Sequence, residues 1–286
     1  MNKYIPKGYK ITILEPLNTL QLFITNKCNK RCKGCFYQGE LGKDEMELSD
    51  YIRMINTGGK DLLPKRITIL GGEPTMHPEL PLMIAYNQSK KLKTTIYTNG
   101  YGINKLEGVD LTDVSVRIGV LGLHESEKPL DEIKPPSYPV GIVYMLRKDN
   151  VHELVDTFCY ALKHFDVKYF YISSIRDIEV TGSFWKDTED TLSNEEYAEE
   201  VHKFLTLYDG SVPIHVSRRG VIDHDFLNHP PTTCRFFNVF TNRKPCMCPF
   251  DISLGKIDEQ FIEKRKCNKH KECLLQKIIL VHVAKT

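Results

Sequence analysis

Apolar positions along the 286-residue chain fall into two periods. Short runs that alternate with polar residues, or are apolar throughout, occur at 20–24, 66–70, 94–98, 114–120, 140–146, 168–173 and 212–216 (LQLFI, RITIL, TTIYT, VSVRIGV, VGIVYML, KYFYIS and VPIHV). Runs of this length and composition predict strands. Between them, apolar residues recur at helical spacing over 48–56, 79–91, 150–165 and 193–208, which predicts amphipathic helices. Ser193 followed by Glu196 is a capping-box start for the last of these. Cys159 falls within the third helix and is expected to pack in the core as a small hydrophobe. Strands separated by helices predict βαβ units and a parallel sheet. Six or seven such units predict a barrel or partial barrel rather than a small open sheet.

The alternation weakens at two places. The connection GLHESEKPLDEIKPPSYP carries Pro135, Pro136 and Pro139, which leave room for one helical turn at most. It reads as a degenerate helix or as a lid. After about residue 230 the pattern stops, and the remaining tail is short, Cys-rich and basic. The chain is therefore divided into 1–230 and 231–286.

Composition narrows the class. With 41% hydrophobic and 27% charged residues the chain is globular, not collagen-like or disordered. No apolar run approaches the ~18 residues of a membrane-spanning helix, so no membrane partner is expected. The start, MNKYIPKGYK, lacks the apolar stretch of a signal peptide. A cytoplasmic location follows as the expectation, with thiols kept reduced. Lys plus Arg exceed Asp plus Glu by 39 to 37, a balance that neither requires nor forbids a polyanionic partner.

Nine cysteines in such a chain point to metal binding or catalysis rather than disulfides. Cys28, Cys32 and Cys35 form C-x3-C-x2-C directly after the first strand. Three thiolates on one short loop can hold three irons of a [4Fe–4S] cluster and leave the fourth open. A zinc knuckle lacking one ligand, or chance, are the alternatives. Five more, Cys234, Cys246, Cys248, Cys267 and Cys273, crowd the tail with gaps C-x11-C-x1-C-x18-C-x5-C. Four would complete a second cluster; four, or three with His270, would equally satisfy zinc. Cys246 and Cys248 sit two apart, on one face of a strand. Lys27, Lys30, Arg31 and Lys33 flank the first cysteines, and Lys264, Arg265, Lys266, Lys269 and Lys271 the last ones. These cations either offset a negatively charged cluster or contact nucleic acid.

The first cysteine motif resembles that of the radical S-adenosylmethionine (SAM) superfamily. Further segments extend the resemblance over roughly residues 18–220. Gly71-Gly72-Glu73-Pro74 after the second strand matches the family's GGE motif. Tyr97-Thr98-Asn99-Gly100 resembles its TNG turn, and Lys148-Asp149-Asn150 its KDN stretch. The resemblance implies a partial (β/α)6 TIM-like barrel with a small Cys-rich C-terminal cluster-binding cap. It places Gly71, Gly72, Glu73, Pro74, Thr98, Asn99 and Asn150 at the SAM site, with Arg176 available to the SAM carboxylate. Gly72 is expected to tolerate no side chain, because backbone must approach the ligand there. Gly34 stands where the family usually has an aromatic residue near the adenine, so Phe36 or Tyr37 is expected in that role. Gly119 stands near the family's strand-four serine.

The chemistry the resemblance implies is reductive cleavage of SAM to methionine and a 5′-deoxyadenosyl radical. That radical removes a hydrogen atom from an unactivated carbon of a peptide or small-molecule substrate. A reductant such as flavodoxin or ferredoxin would supply the electron. The tail resembles Twitch or SPASM-type extensions, which assigns Cys234, Cys248, Cys267 and Cys273 to an auxiliary [4Fe–4S] cluster. Cys246 is then an idle thiol, an alternative ligand or a hydrogen-atom donor to a substrate radical. Radical modification of a nucleoside or nucleobase is the alternative activity. An iron–sulfur electron carrier with a zinc-stabilised tail is the alternative outside catalysis. His124, Glu125, Tyr144, Arg147, His215 and Arg218 are further candidates to face substrate.

Overall fold

The computed structural model describes residues 4–14, 18–32, 35, 37–62, 64–124, 126–174, 190–217, 236–239, 241, 245–246 and 280–286. Among the described residues eleven strands form one sheet: β1 (Tyr9–Leu14), β2 (Thr19–Phe23), β3 (Arg66–Leu70), β4 (Lys93–Thr98), β5 (Val114–Val120), β6 (Val140–Leu146), β7 (Val167–Ser174), β8 (Ile214–Ser217), β9 (Phe236–Val239), β10 (Pro245–Cys246) and β11 (Leu280–Lys285). Their order is β1-β11-β8-β7-β6-β5-β4-β3-β2-β9-β10. Neighbours from β2 to β8 pair in parallel. These seven are the expected strands, within two residues at each end.

Period-two alternation makes the sheet two-sided. Ile67, Ile69, Ile96, Val116, Ile118, Ile142, Phe170, Ile172, Ile214 and Val216 all point to one face and are buried in a single core. The described helices cover that face: α1 (Leu48–Leu62), α2 (Leu80–Ser89), α3 (Leu154–His164) and α4 (Asn194–Leu207). Each contributes an apolar stripe, such as Leu154, Phe158 and Ala161 of α3. Cys159 lies one step round from that stripe and is exposed, not buried as the sequence suggested. The capping box of α4 forms as expected, with Ser193 and Glu196 each accepting the other's backbone N–H. The β4–β5 connection has only a 3-10 turn, Ile103–Leu106. The Pro-rich β5–β6 connection has no helix among its described residues.

The parallel α/β sheet is that of a partial barrel. Strands outside the helical alternation line its two edges. β9 pairs in parallel with β2 and antiparallel with β10. β11 pairs antiparallel with both β8 and β1. β1 and β11 were not expected from the sequence, whereas β10 holds Cys246, one of the two tail cysteines expected on a strand. No described helix is long and apolar enough to cross a membrane.

Candidate active site

The loop that leaves β2 is closed at its base before it carries a thiol. Ile24 N–H donates to Leu70 O (2.9 Å), Met46 N–H to Ile24 O (2.8 Å), Asn26 N–H to Asp44 O (2.8 Å) and Gly42 N–H to Asn26 O (2.9 Å). Tyr37 anchors the returning arm. Its ring stacks on Phe23 with centroids 4.9 Å apart, and its hydroxyl donates to Asn26 Oδ1 at 2.6 Å. Burial pushes this phenol far above its ordinary pKa. Tyr37 is thus packed in the loop's own small core rather than presented to a ligand. The same Asn26 Oδ1 accepts the hydroxyl of Thr241 at 2.9 Å, so the β9–β10 turn reaches the root of the cysteine loop.

Cys28, Cys32 and Cys35 stand half-buried on this loop. Lys30 N–H donates to Cys28 Sγ at 3.4 Å. Desolvation raises the Cys32 and Cys35 thiols. Cys28 raises both further, and the Lys128 ammonium opposes the rise. Such thiols release their protons when a metal cation replaces them. The described side chains form no three-ligand site for a single metal ion. The three thiols are instead strung along one loop within electrostatic reach of one another, a donor set that fits separate corners of an iron–sulfur cluster. Of the cations flanking the motif in sequence, Arg31 donates to Cys28 O and Lys30 O of the loop itself, both at 3.0 Å, Lys33 lies outside the described residues, and the other two have partners beyond the motif. Lys27 pairs with Glu45 at 2.6 Å, and Lys30 lies 3.8 Å above the Tyr101 ring. Lys128 comes from the loop after β5, a position the sequence analysis did not single out. Its ammonium is 3.5 Å from where a Cβ on Gly119 would lie.

The Gly71-Gly72-Glu73-Pro74 turn docks onto the same loop through backbone. Gly72 N–H donates to Thr25 O and Glu73 N–H to Lys27 O, both at 2.7 Å. Gly71 has φ +142°, and a Cβ there would collide with Thr25 O. A Cβ on Gly72 would collide with Lys27 O and come within 3.0 Å of Cys28 Cβ. Both glycines are therefore required for close approach of the cysteine loop itself.

Glu73 is 1% exposed. Its Oε1 accepts from Thr75 N–H (3.0 Å), Thr75 Oγ1 (2.7 Å) and Thr98 Oγ1 (2.6 Å), and its Oε2 from Asn99 N–H (2.6 Å). The carboxylate expected at the SAM amino group is thus committed to joining two turns. Thr98 Oγ1 also accepts Gly100 N–H (3.0 Å). Asn99 Nδ2 donates to Asn29 Oδ1 at 2.7 Å and lies 4.0 Å from Cys28 Sγ. Pro74 is buried at the start of a 3-10 turn, Pro74–Met76, with Glu73 as N-cap. Asn150 sits at the ends of β5 and β6. It donates to Leu121 O (2.8 Å) and Met145 O (2.9 Å) and accepts Arg147 N–H (2.7 Å). Its side chain is buried and fully engaged within the fold.

Tyr144 points into the helix-side core, where its hydroxyl donates to Asn150 O at 2.6 Å. Arg147 pairs with Asp149 at 2.5 Å, and His124 with Asp131 at 2.6 Å. His215 lies on the opposite, concave face, stacked on Tyr169. Phe36, Arg176, Cys234, Cys248, Cys267, Cys273, Glu125 and Arg218 lie outside the described residues. Cys246 is in β10, opposite Asn238 of β9.

Residues 22–172 match the family model described as the Radical SAM superfamily. A probable GTP 3′,8-cyclase of Sulfolobus acidocaldarius is 30% identical over 93 residues, 32% of this chain and 30% of that protein. An Fe-coproporphyrin III synthase of Methanosarcina barkeri is 28% identical over 155 residues, 46% of this chain and 37% of that one. The match thus spans well under half the length of either relative. Among solved structures, Streptococcus suis SuiB bound to precursor peptide SuiA superposes with a TM-score of 0.67 at 14% identity, over 93% of this chain and 71% of that one. At that identity the likeness is one of fold.

Proposed function

Because the chain belongs to the radical SAM superfamily, and is therefore an enzyme of a family that uses a [4Fe–4S] cluster and SAM, we propose that Cys28, Cys32 and Cys35 hold the cluster. The observation that carries this reading is the docking of Gly72 and Glu73 N–H onto Thr25 O and Lys27 O at 2.7 Å. It fastens the glycine turn to the thiol loop as one unit. When bound, cluster and SAM supply a one-electron reduction and a carbon radical able to take a hydrogen atom from substrate.

The chain's own residues supply position. Gly71, Gly72 and Pro74 set the turn, and Glu73 locks it to Thr98 and Asn99. Asn99 carries that link to Asn29 within the cysteine loop. Asn150 pins the strand ends at the neighbouring edge. Phe36 and Arg176 are proposed SAM contacts at the adenine and the carboxylate. The substrate is a peptide or a small molecule, and the electron comes from a flavodoxin or ferredoxin. A nucleoside substrate is a second reading, favoured by the relatives named GTP 3′,8-cyclase.

For the tail we propose a Twitch-like extension in which Cys234, Cys248, Cys267 and Cys273 hold an auxiliary [4Fe–4S] cluster. Support comes from the β9–β10 hairpin, which falls between the first two of these in sequence, and from the Thr241–Asn26 contact that seats its turn beside the first loop. Cys246 is proposed as the hydrogen-atom donor: its S–H hydrogen moves to a substrate carbon radical, and the sulfur radical left behind is reduced by the same electron carrier.

Anaerobically reconstituted protein should bind about eight irons, from two four-iron clusters, and form 5′-deoxyadenosine with SAM and reductant. A Cys28→Ala/Cys32→Ala/Cys35→Ala variant should lose about half that iron and all cleavage. Retained cleavage in this variant would refute the assignment. In Cys246→Ala, iron and cleavage should persist while the product changes.

A further inference from the structure

The concave face of the sheet carries cations without a matching acid among the described residues. Arg66 of β3, Tyr97 of β4, Arg117 of β5, Tyr169 of β7, His215 of β8 and His282 of β11 are the polar halves of strands whose apolar halves lie in the helix-side core. The sheet's curl brings them together. Arg117 donates to Tyr97 Oη at 2.6 Å and lies 5.5 Å from the Tyr169 ring, two strands away. Gly141 of β6 makes this possible, because a Cβ there would run into the Tyr169 ring. Tyr169 stacks on His215 at 4.4 Å, and His215 meets His282 edge-on at 5.6 Å.

Arg117 is only 9% exposed. Its Nε, the Nε of Arg66, Nδ1 of His215 and Nε2 of His282 are all enclosed and have no hydrogen-bond partner among the described residues. Among the described residues, the groups that act on Arg66, Arg117 and His215 are one another, Tyr97, Tyr169 and His282, with no carboxylate among them. Tyr97 Oη takes one N–H of Arg117, and the Nε of that guanidinium stays unmatched among the described residues. An enclosed cation without a counter-ion is costly. Two guanidiniums that act on each other's charge are chemically suited to sharing an oxyanion, which would take up their idle N–H groups.

We propose that this face, between Arg66, Arg117 and His215, binds a doubly charged oxyanion, a phosphate or a paired carboxylate, as the anionic end of the substrate. The substrate assignment rests on the catalytic reading above; the anion site itself does not. Arg117 is two residues before Gly119, about 7 Å down the strand. Lys128 stands over Gly119 and acts on Cys32 and Cys35. A substrate anchored at Arg117 therefore extends its other end toward the cysteine loop. The two guanidiniums select charge and fix depth, and the reacting carbon is presented above them.

The test uses the full chain with its clusters reconstituted. Inorganic phosphate and, separately, succinate are titrated by calorimetry in chloride buffer of matched ionic strength. Wild type should show one saturable site for at least one probe, and which probe binds identifies the oxyanion. Arg117→Met and Arg66→Gln should each weaken that binding at least tenfold. Arg117→Met should also unfold at no lower urea concentration than wild type in the absence of either probe, because it removes an uncompensated charge. Absence of saturable binding in wild type, or equal binding in both variants, overturns the proposal. So does marked destabilisation of Arg117→Met with binding intact in Arg66→Gln, which would place a carboxylate of this chain beside Arg117. SAM cleavage by wild type is measured alongside. Its failure with phosphate or succinate binding intact would remove the catalytic reading and leave the anion site standing.

Discussion

The Asn99 backbone N–H donates to Glu73 Oε2 at 2.6 Å, across the gap between the ends of β4 and β3. The other carboxylate oxygen is taken by Thr75 and Thr98. Four donors converge on one buried acid, and none of them is free to be satisfied by water. In Glu73→Gln the three donors on Oε1 can be kept, but the new NH2 faces the Asn99 N–H. A buried donor left facing a donor costs about 1–3 kcal/mol. We expect urea unfolding to show a loss of about 2 kcal/mol together with weaker SAM binding, since the two turns no longer hold register.

Gly72→Ala should damage the cluster as well as the SAM site. The added Cβ meets Lys27 O and Cys28 Cβ, which belong to the cysteine loop. The backbone must shift, and with it the Gly72–Thr25 and Glu73–Lys27 hydrogen bonds. Iron per chain after anaerobic reconstitution is expected to fall together with SAM affinity. Full iron content with impaired SAM binding alone would place the obstruction at the ligand instead.

Asn150→Asp separates a structural from a ligand-binding role. The acid keeps the acceptor for Arg147 N–H but sets an oxygen against the carbonyls of Leu121 and Met145. Loss of two buried hydrogen bonds predicts about 2–4 kcal/mol of destabilisation. This should appear in metal-free protein, where SAM contacts play no part. An unchanged unfolding midpoint in that form would argue against the strand-end role.

The sheet was largely legible in sequence because each inner strand shows its two faces as alternating residue types. VSVRIGV places Val116, Ile118 and Val120 on one side and Ser115, Arg117 and Gly119 on the other. That Arg117 would meet Tyr169 and feel His215 was not legible, because it depends on how strongly the sheet curls and on Gly141 leaving space. Likewise GGEP marked a site, yet the roles of Thr25 and Lys27 were hidden, since only their backbone oxygens take part. Cys159 was misplaced because the helix period was noted without fixing which residues, Leu154, Phe158 and Ala161, form the inward stripe.

His215 gives the fold a pH dependence of known sign. Burial first, then Arg117 and His282, lower its pKa to about 4. An unfolded histidine titrates near ~6.5. Between these values the unfolded chain takes up a proton that the folded chain refuses. Stability is therefore fully present above the window and falls as pH drops through it. Between pH ~7.5 and ~5 the loss from this residue is about 2 kcal/mol. Urea unfolding of wild type and His215→Gln at both pH values, with cluster state held the same, should show that difference. An identical pH slope in the two proteins would contradict it.

The docking of the glycine turn onto the thiol loop divides evolutionary freedom unequally between its two sides. On the loop side the contact is made by the carbonyls of Thr25 and Lys27, which every residue type possesses. On the turn side, Gly71 and Gly72 meet those carbonyls so closely that any carbon branch at either position would collide. Position 27 can therefore drift in related sequences as far as this contact is concerned, whereas position 72 cannot. A lineage in which position 72 did change would have to rebuild the path of the 25–28 segment at the same time.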